Sequence, residues 1–286
     1  MSPSLQFVST AQMFPGKQFI STVLELLDTK TAMTREITQR YLMRAAMAGI
    51  IVGIFYTAYY SVVAGFDAIA PEGQWHVVGK FLGASVFGWA LVFIYFSKSE
   101  LLTSNMMIAT IGVYYRRTSM RKALGLLGLC LLGNFLGGLF IALLVAGTSL
   151  LNGHPGDAMQ EAVDAKLGYV TSGATGLTDL FLRAVLCNFM INLAMLLIYN
   201  GTIHSDMLKA LVMVMSVFVF AFLAFEHSVA NTVLFLEHGL NHGIPVWAAV
   251  ANVAVALLGN FVGGGLLIGL YYAYVNDESR YLRRRD

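Results

Sequence analysis

Long charge-free apolar stretches separated by short polar punctuation run through most of the chain. Residues 45–66 carry no charge between Arg44 and Asp67, and 22 apolar-rich positions suffice to cross a hydrocarbon core of ~30 Å. Residues 123–156, between Lys122 and Asp157, hold a third span and its exit, residues 184–205 a fourth, and residues 238–276 a sixth. The second and fifth are interrupted. Residues 81–97 run into Lys98 and Glu100 before apolar character resumes at Leu101–Tyr115, and residues 210–225 run into Glu226 and His227 before Ser228–Leu236. Each reads as one span broken near its middle. A charge at that depth costs at least ~2.5 kcal/mol on insertion scales, so it must face protein or a water-filled cavity. Upstream, Ile20, Val23, Leu24 and Leu27 recur at helical spacing and predict an amphipathic helix on the inner membrane surface.

Composition narrows the class further. Of 286 residues, 57% are hydrophobic and 12% charged, with a mean hydropathy of +0.70. Soluble domains carry about 25% charged residues, so a soluble enzyme is excluded and about six spans with short connections fill the length. The net charge of +2 gives no footprint for nucleic acid, because Lys and Arg cluster at the span borders. Cys130 and Cys187 fall inside apolar runs and read as small buried hydrophobes. No basic n-region followed by an apolar h-region opens the chain, so no removable signal peptide is expected.

Three basic clusters fall on one side of a six-span protein: Lys30, Arg35, Arg40 and Arg44; Arg116, Arg117, Arg121 and Lys122; Arg280, Arg283, Arg284 and Arg285. The positive-inside rule makes that side cytoplasmic, termini included. The connection from Thr148 to Asp179 carries four acids against the single Lys166 and suits the outside. The resulting organisation is a cytoplasmic N-terminal segment with an interfacial amphipathic helix (1–40), a first three-span repeat (41–150), an external connecting loop (151–180), a second three-span repeat (181–276) and a cytoplasmic basic tail (277–286).

The repeat is visible in the residues. An offset of 126 maps Glu100 and Asn105 onto Glu226 and Asn231, and Gly133-Asn134-Phe135 onto Gly259-Asn260-Phe261. A looser offset of 139 pairs Leu42-Met43-Arg44-Ala45 with Phe181-Leu182-Arg183-Ala184. Each unit holds an odd number of spans, so the halves have opposite orientations: the inverted-repeat architecture of channels and transporters. A broken span leaves a half-helix N-terminus near the midplane, with unpaired N–H groups and the positive end of a macrodipole, which attracts anions. Ser99, Glu100, Thr103 and Ser104 at one break, and Glu226 and Ser228 at the other, could cap those groups. The two glutamates either hold the broken backbone in shape or carry protons. Gly49/Gly53, Gly133/Gly137 and Gly259/Gly263 have the small-xxx-small spacing of close helix packing, while Gly168, Gly173 and Gly176 read as hinges of an ordered loop.

Among the histidines, His227 stands beside a break, whereas His76, His154, His204, His238 and His242 fall in predicted connections or at span ends. An imidazole titrates near pH 6.5, so proton exchange with a passing weak-acid anion is open to His227. Such exchange has a purpose, because an unpaired carboxylate in an apolar medium costs far more than its neutral acid. Lys166 could draw anions to the outer mouth, or simply be solvated; Asn188 could contact substrate or His227, or glue helices. Enzyme signatures are missing: Glu226-His227 is not spaced as H-E-x-x-H, no G-x-S-x-G occurs, and no cluster of His, Cys and Asp suggests a metal. An aquaporin-like channel for neutral solutes shares the architecture, but its paired Asn-Pro-Ala motifs are absent.

The motifs resemble those of the formate/nitrite transporter family. Ser99-Glu100-Leu101-Leu102-Thr103-Ser104 is similar to the break in that family's second span, Phe225-Glu226-His227-Ser228-Val229-Ala230-Asn231 to its hallmark F-E-H-S-I/V-A-N, and Gly259-Asn260-Phe261-Val262-Gly263-Gly264-Gly265 to its last span. The resemblance covers about residues 15–276. It implies an all-α membrane protein with six transmembrane helices in two inverted repeats, an aquaporin-like protomer with its own pore, and a homopentamer in the inner membrane of a prokaryote. It implies passage of small monovalent anions, formate first, with nitrite, acetate, lactate or hydrosulfide as other cargoes, and no cofactor. Carried over residue by residue, it places His227 between an outer constriction of Phe87 and Phe220 and an inner one of Leu91 and Leu101, with Thr103 on the mobile loop and Lys166 and Asn188 near the histidine. Lys98 departs from the family, which usually has a small residue there; its simple role would be snorkelling or pairing with Glu100.

Overall fold

The computed structural model describes residues 10–69 and 73–279, which form helices joined by short connections with no strand among them. Arg280, Arg283, Arg284 and Arg285 of the expected basic tail lie outside the described residues. A single turn, α1 (Thr10–Met13), precedes α2 (Lys17–Glu36). The first span is α3 (Thr38–Asp67), the second is α4 (His76–Phe96) with α5 (Leu102–Tyr114), and the third is α6 (Met120–Ala146). A separate helix α7 (His154–Thr171) leads into the fourth span, α8 (Gly173–Tyr199). The fifth span is α9 (Asp206–Phe222) with α10 (Ser228–His242). The sixth is α11 (Val246–Asn260), a π-helical stretch (Phe261–Leu270) and α12 (Tyr271–Val275). Five helices, α3, α4, α6, α8 and the continuous Val246–Val275, are each long and apolar enough to cross a bilayer unaided.

The two halves pack alike. α3 lies against α6 as α8 lies against α11, and both contacts depend on missing side chains. A Cβ on Gly137 would stand 1.8 Å from the Ala46 carbonyl oxygen, and one on Gly263 would stand 2.0 Å from that of Val185. These are equivalent positions in the two repeats, so backbone approaches backbone at both seams. The π-helical stretch is confined to the second repeat. There Gly264 lies directly under the Asn188 and Asn192 amides, at 2.3 Å from where its Cβ would be.

Four expectations need correction. The segment expected as an external loop over 151–180 is α7 followed by the first two turns of α8, so the fourth span begins at Gly173 and not near residue 184. Pro155 in the first turn starts α7, and Met159, Val163, Lys166 and Leu167 bury one face of it. Of the three glycines read as hinges, only Gly173 (φ 67°) turns the chain; Gly168 lies within α7, and Gly176 lets Tyr169 approach closely. The apolar face of the amphipathic α2 is covered by protein. Phe19, Val23 and Leu27 are fully enclosed against the bundle, and Leu27 sits over Gly112. Amphipathicity records an apolar face without saying whether lipid or protein covers it. Gly16 N–H donates to Asn276 Oδ1 at 2.8 Å, Lys17 pairs with Glu278, and Arg117 pairs with Asp28 at 2.6 Å, so α2 is pinned at its N-terminal end and at its middle. Finally, α10 runs on to His242, which moves His238 from a connection into the buried half of the fifth span beside Glu237.

The backbone seams are testable. Gly263→Val should cost about 3 kcal/mol in detergent unfolding, the upper range for overpacking. Gly125→Ala, at a site with nothing within 4 Å, should shift stability by no more than ~1 kcal/mol.

Candidate pore and its two broken spans

At the first break α4 ends with Lys98 in the left-handed region (φ 57°), and Ser99 N–H returns to the Ile94 carbonyl at 3.0 Å. Glu100 N–H leaves for the Arg44 carbonyl of α3 at 3.1 Å. Asn134 of α6 then substitutes for the missing helix. Its Oδ1 accepts from Leu102 N–H at 3.0 Å, and its Nδ2 donates to the carbonyls of Ala45 and Glu100, each at 2.8 Å. The Glu100 carboxylate pairs with Lys30 of α2 and accepts from Asn105 Nδ2 at 3.1 Å.

The second break repeats this in the opposite sense. Ala224 takes the left-handed position (φ 52°), and Phe225 N–H returns to the Phe220 carbonyl at 2.8 Å. Asn260 Oδ1 accepts from Ser228 N–H at 2.9 Å, while its Nδ2 donates to Ala184 at 2.8 Å and to Glu226 at 2.9 Å. Lys166 of α7 binds Glu226 Oε1 at 2.8 Å, and Asn231 Nδ2 donates to Glu226 Oε2 at 2.6 Å. Burial alone would push the Lys166 ammonium toward neutrality, but the adjacent Glu226 carboxylate reverses this and holds its pKa above the ordinary lysine value.

His227 closes the join between the half-helices. Its Nδ1 accepts from Ala230 N–H at 3.0 Å and so caps α10, which leaves the proton of the neutral ring on Nε2. That Nε2–H donates to Thr103 Oγ1, 3.1 Å away; Thr103, expected on the loop of the break, lies instead in the first turn of α5, because the helix resumes at Leu102. The positive ends of two half-helices therefore meet at one imidazole. Phe220 stacks on the ring at a centroid distance of 5.9 Å, and Phe87 stands edge-on to Phe220 at 6.1 Å.

Three cavities lie in series. The one on the α7 side, outer in the expected orientation, measures about 200 Å³, is lined by Tyr56, Tyr60, Lys166 and Glu226 and ends on Phe87, Phe220 and His227. A central cavity of about 20 Å³ is shared by Phe87, Phe220, Leu91, Ile94, Leu101 and His227. An inner one of about 550 Å³ begins at Leu91, Ile94 and Leu101 and opens past Lys98, Glu100, Ser104 and Asn105. The central space holds roughly one water, which needs about 10–15 Å³, and has no room for a hydration shell. Its walls obey the repeat: Leu91, Ile94 and Leu101 are equivalent to Val217, Phe220 and His227, and Val52 to Ile191, all of them lining residues. One titratable side chain faces one leucine across a near-symmetric apolar cage.

Other side chains fall elsewhere. Asn188 is fully buried and lines none of the three cavities; its Nδ2 donates to the carbonyls of Thr103 at 3.1 Å and Asn260 at 2.7 Å, which joins α5 to the last span. Asn192 shares the Thr103 carbonyl at 3.2 Å. Asn231 sits behind the second break, held also by Asn252 at 2.9 Å. Lys98 does not pair with Glu100, whose cation is Lys30; its Nζ stands 5.1 Å from the Tyr95 ring centre. Asn134 and Asn260 went unrecognised as backbone braces, although the Gly-Asn-Phe repeat marked them. Lys30 carried no signal beyond its sign, since its partner lies 70 residues away. Among the described residues no group of three or more His, Cys, Asp or Glu side chains could hold a metal ion.

Six spans in inverted halves, two of them broken around a narrow apolar passage, define a multi-pass membrane transport protein. Residues 17–274 match the formate/nitrite transporter family model, and the chain belongs to that family. It is 30% identical to the nitrite transporter NirC of Salmonella typhimurium, over 82% of each chain, and 28% identical to the formate channel FocA of Haemophilus influenzae, over 80% of this chain and 85% of that one. A solved FNT family ion channel superposes with a TM-score of 0.77 at 25% identity, covering 90% of this chain and 98% of that one. The fold is shared also with a pentameric formate channel with formate bound, at a TM-score of 0.67 and 21% identity, covering 84% and 98%.

Removing one brace should show its weight. Asn260→Ala strands Ser228 N–H and the carbonyls of Ala184 and Glu226, and each buried unpaired group costs ~1–3 kcal/mol. A loss of about 3 kcal/mol is expected in detergent unfolding, with a similar loss for its equivalent Asn134→Ala.

Proposed function

We propose that the protein conducts small monovalent weak-acid anions, formate first and nitrite, lactate, acetate or hydrosulfide as alternatives, and that the cargo crosses the centre as its neutral acid after proton exchange at His227. The observation that carries this reading is the central cavity, whose lining is apolar except for that imidazole. An anion entering a dry space of this size loses its hydration with no cation to replace it, whereas a neutral acid avoids most of the penalty. Transfer of one proton from an imidazolium to a carboxylate leaves a neutral ring and a neutral acid, so charge balances within the cage. Protonation at Nδ1 would break the Ala230 cap, and release of the proton restores it. Lys166 draws anions into the outer cavity while Glu226 keeps its buried charge compensated. Thr103 orients Nε2, and Phe87, Phe220, Leu91 and Leu101 are the closures. Glu100, Glu226, Ser104, Asn105 and Asn231 serve the breaks; Asn188 acts as a strut.

We further infer a homopentamer in the plasma membrane of a prokaryote, with both termini cytoplasmic. The basic residues before α3 and between α5 and α6 support that orientation. The family resemblance supports the assembly, which native mass spectrometry in mild detergent tests directly.

The function is tested by anion uptake into proteoliposomes across pH 5–8. His227→Asn should lower formate flux by about 100-fold, the lower end of general acid–base contributions, and flatten its pH dependence. Unchanged flux and pH profile would refute the proton-exchange role. Osmotic swelling without anion selectivity would mark a neutral-solute channel instead.

A further inference from the structure

The inverted repeat assigns Lys98 and Ala224 to equivalent left-handed positions at the two breaks, with φ of 57° and 52°. Neither is glycine, and a long side chain in this region is uncommon enough to ask what it does. Ala224 shows that the backbone turn needs no side chain beyond a methyl group. At the inner break the ammonium instead reaches the 550 Å³ cavity, resting 5.1 Å from the Tyr95 ring centre.

The two mouths then differ in charge. The outer cavity is lined by two lysines, Lys80 and Lys166, and two glutamates, Glu161 and Glu226, so its charges cancel in number, and Lys166 and Glu226 also pair directly. In the inner cavity Lys30 is taken up by Glu100, and Lys209 by Asp206 at 2.9 Å. Arg44 and Lys98 remain. Among the described residues neither has a carboxylate within 4.0 Å; Arg44 Nη1 reaches only Met33 Sδ at 3.4 Å. His204 adds a further titratable nitrogen to the same wall.

From this we propose that the inner cavity is a binding site for a small dianion, a C4 dicarboxylate or inorganic phosphate, which enters from the cytoplasmic side and obstructs the passage without crossing it. Two uncompensated cations match two negative charges, in a cavity more than twenty times the volume of the central one. The same geometry prevents transit. A monoanion given one proton is neutral, whereas a dianion given one proton keeps a charge and cannot pass Leu91 and Leu101. The blocking effect rests on the transport reading above; binding itself does not.

Two measurements separate them. Calorimetric titration of the purified protein in detergent with succinate, with phosphate and with chloride at matched ionic strength should give saturable binding of at least one dianion and none of chloride. Lys98→Ala should weaken that binding at least tenfold, and Lys98→Arg should restore it; folding of the alanine variant is expected because Ala224 holds the same turn. Saturation by phosphate alone or by succinate alone supports the site and names its ligand. Binding of neither, or equal binding by Lys98→Ala, overturns it. In oriented proteoliposomes the bound dianion on the cytoplasmic face should lower formate flux at least threefold, and on the outer face leave it unchanged. Equal effects from both faces, or none from either while formate flux without dianion is intact, would overturn the block. Absence of formate flux without dianion would count against the transport reading alone.

Discussion

A backbone N–H or C=O left unpaired inside a membrane finds no water to bond, so a helix can be interrupted there only if side chains replace every lost partner. In this protein one amide per break supplies three of those partners, and neighbouring backbone and the His227 ring supply others. Asn134 and Asn260 each present one acceptor and two donors on a planar group, which accepts from the first N–H of the resumed helix and donates to two carbonyls. A carboxylate could not donate and a hydroxyl would supply one donor too few.

With the breaks held open, the remaining polar groups have defined places. Glu100 and Glu226 each take a lysine from a segment outside the spans, α2 or α7, and an asparagine one turn into the resumed half-helix. Four buried or half-buried charges are thereby paired two by two, which tolerates their depth. The half-helix starts are free to converge, and His227 is both the cap of one and the hydrogen-bond partner of the other. The imidazole in the passage wall is thus also part of the scaffold, and its ring orientation follows from the cap.

Symmetry explains the passage and its departures explain the chemistry. The cage around the centre is built of equivalent pairs, but Leu101 is matched by His227, and Lys98 by Ala224. The first difference puts a titratable group into an otherwise apolar wall. The second gives the two mouths unequal charge.

The number of spans, the two interruptions, the repeat and the central histidine were legible in the sequence, because a membrane imposes its demand locally: each stretch must be apolar enough by itself, and each exception stands out. The Phe225–Asn231 motif was specific enough to point to the family. What covers an amphipathic face was not legible, so α2 was expected on lipid and proved to be packed on protein. Nor were the partners of Glu100 or the strut role of Asn188, since Lys30 and Glu100 come from segments with no local relation, and an amide reads alike whether it faces a pore or a helix. The sequence by itself determined where the chain crosses and where it must break. Only the tertiary structure decided which side chains meet across those breaks, because hydrogen bonds and ion pairs between distant segments depend on packing geometry that leaves no period in the chain.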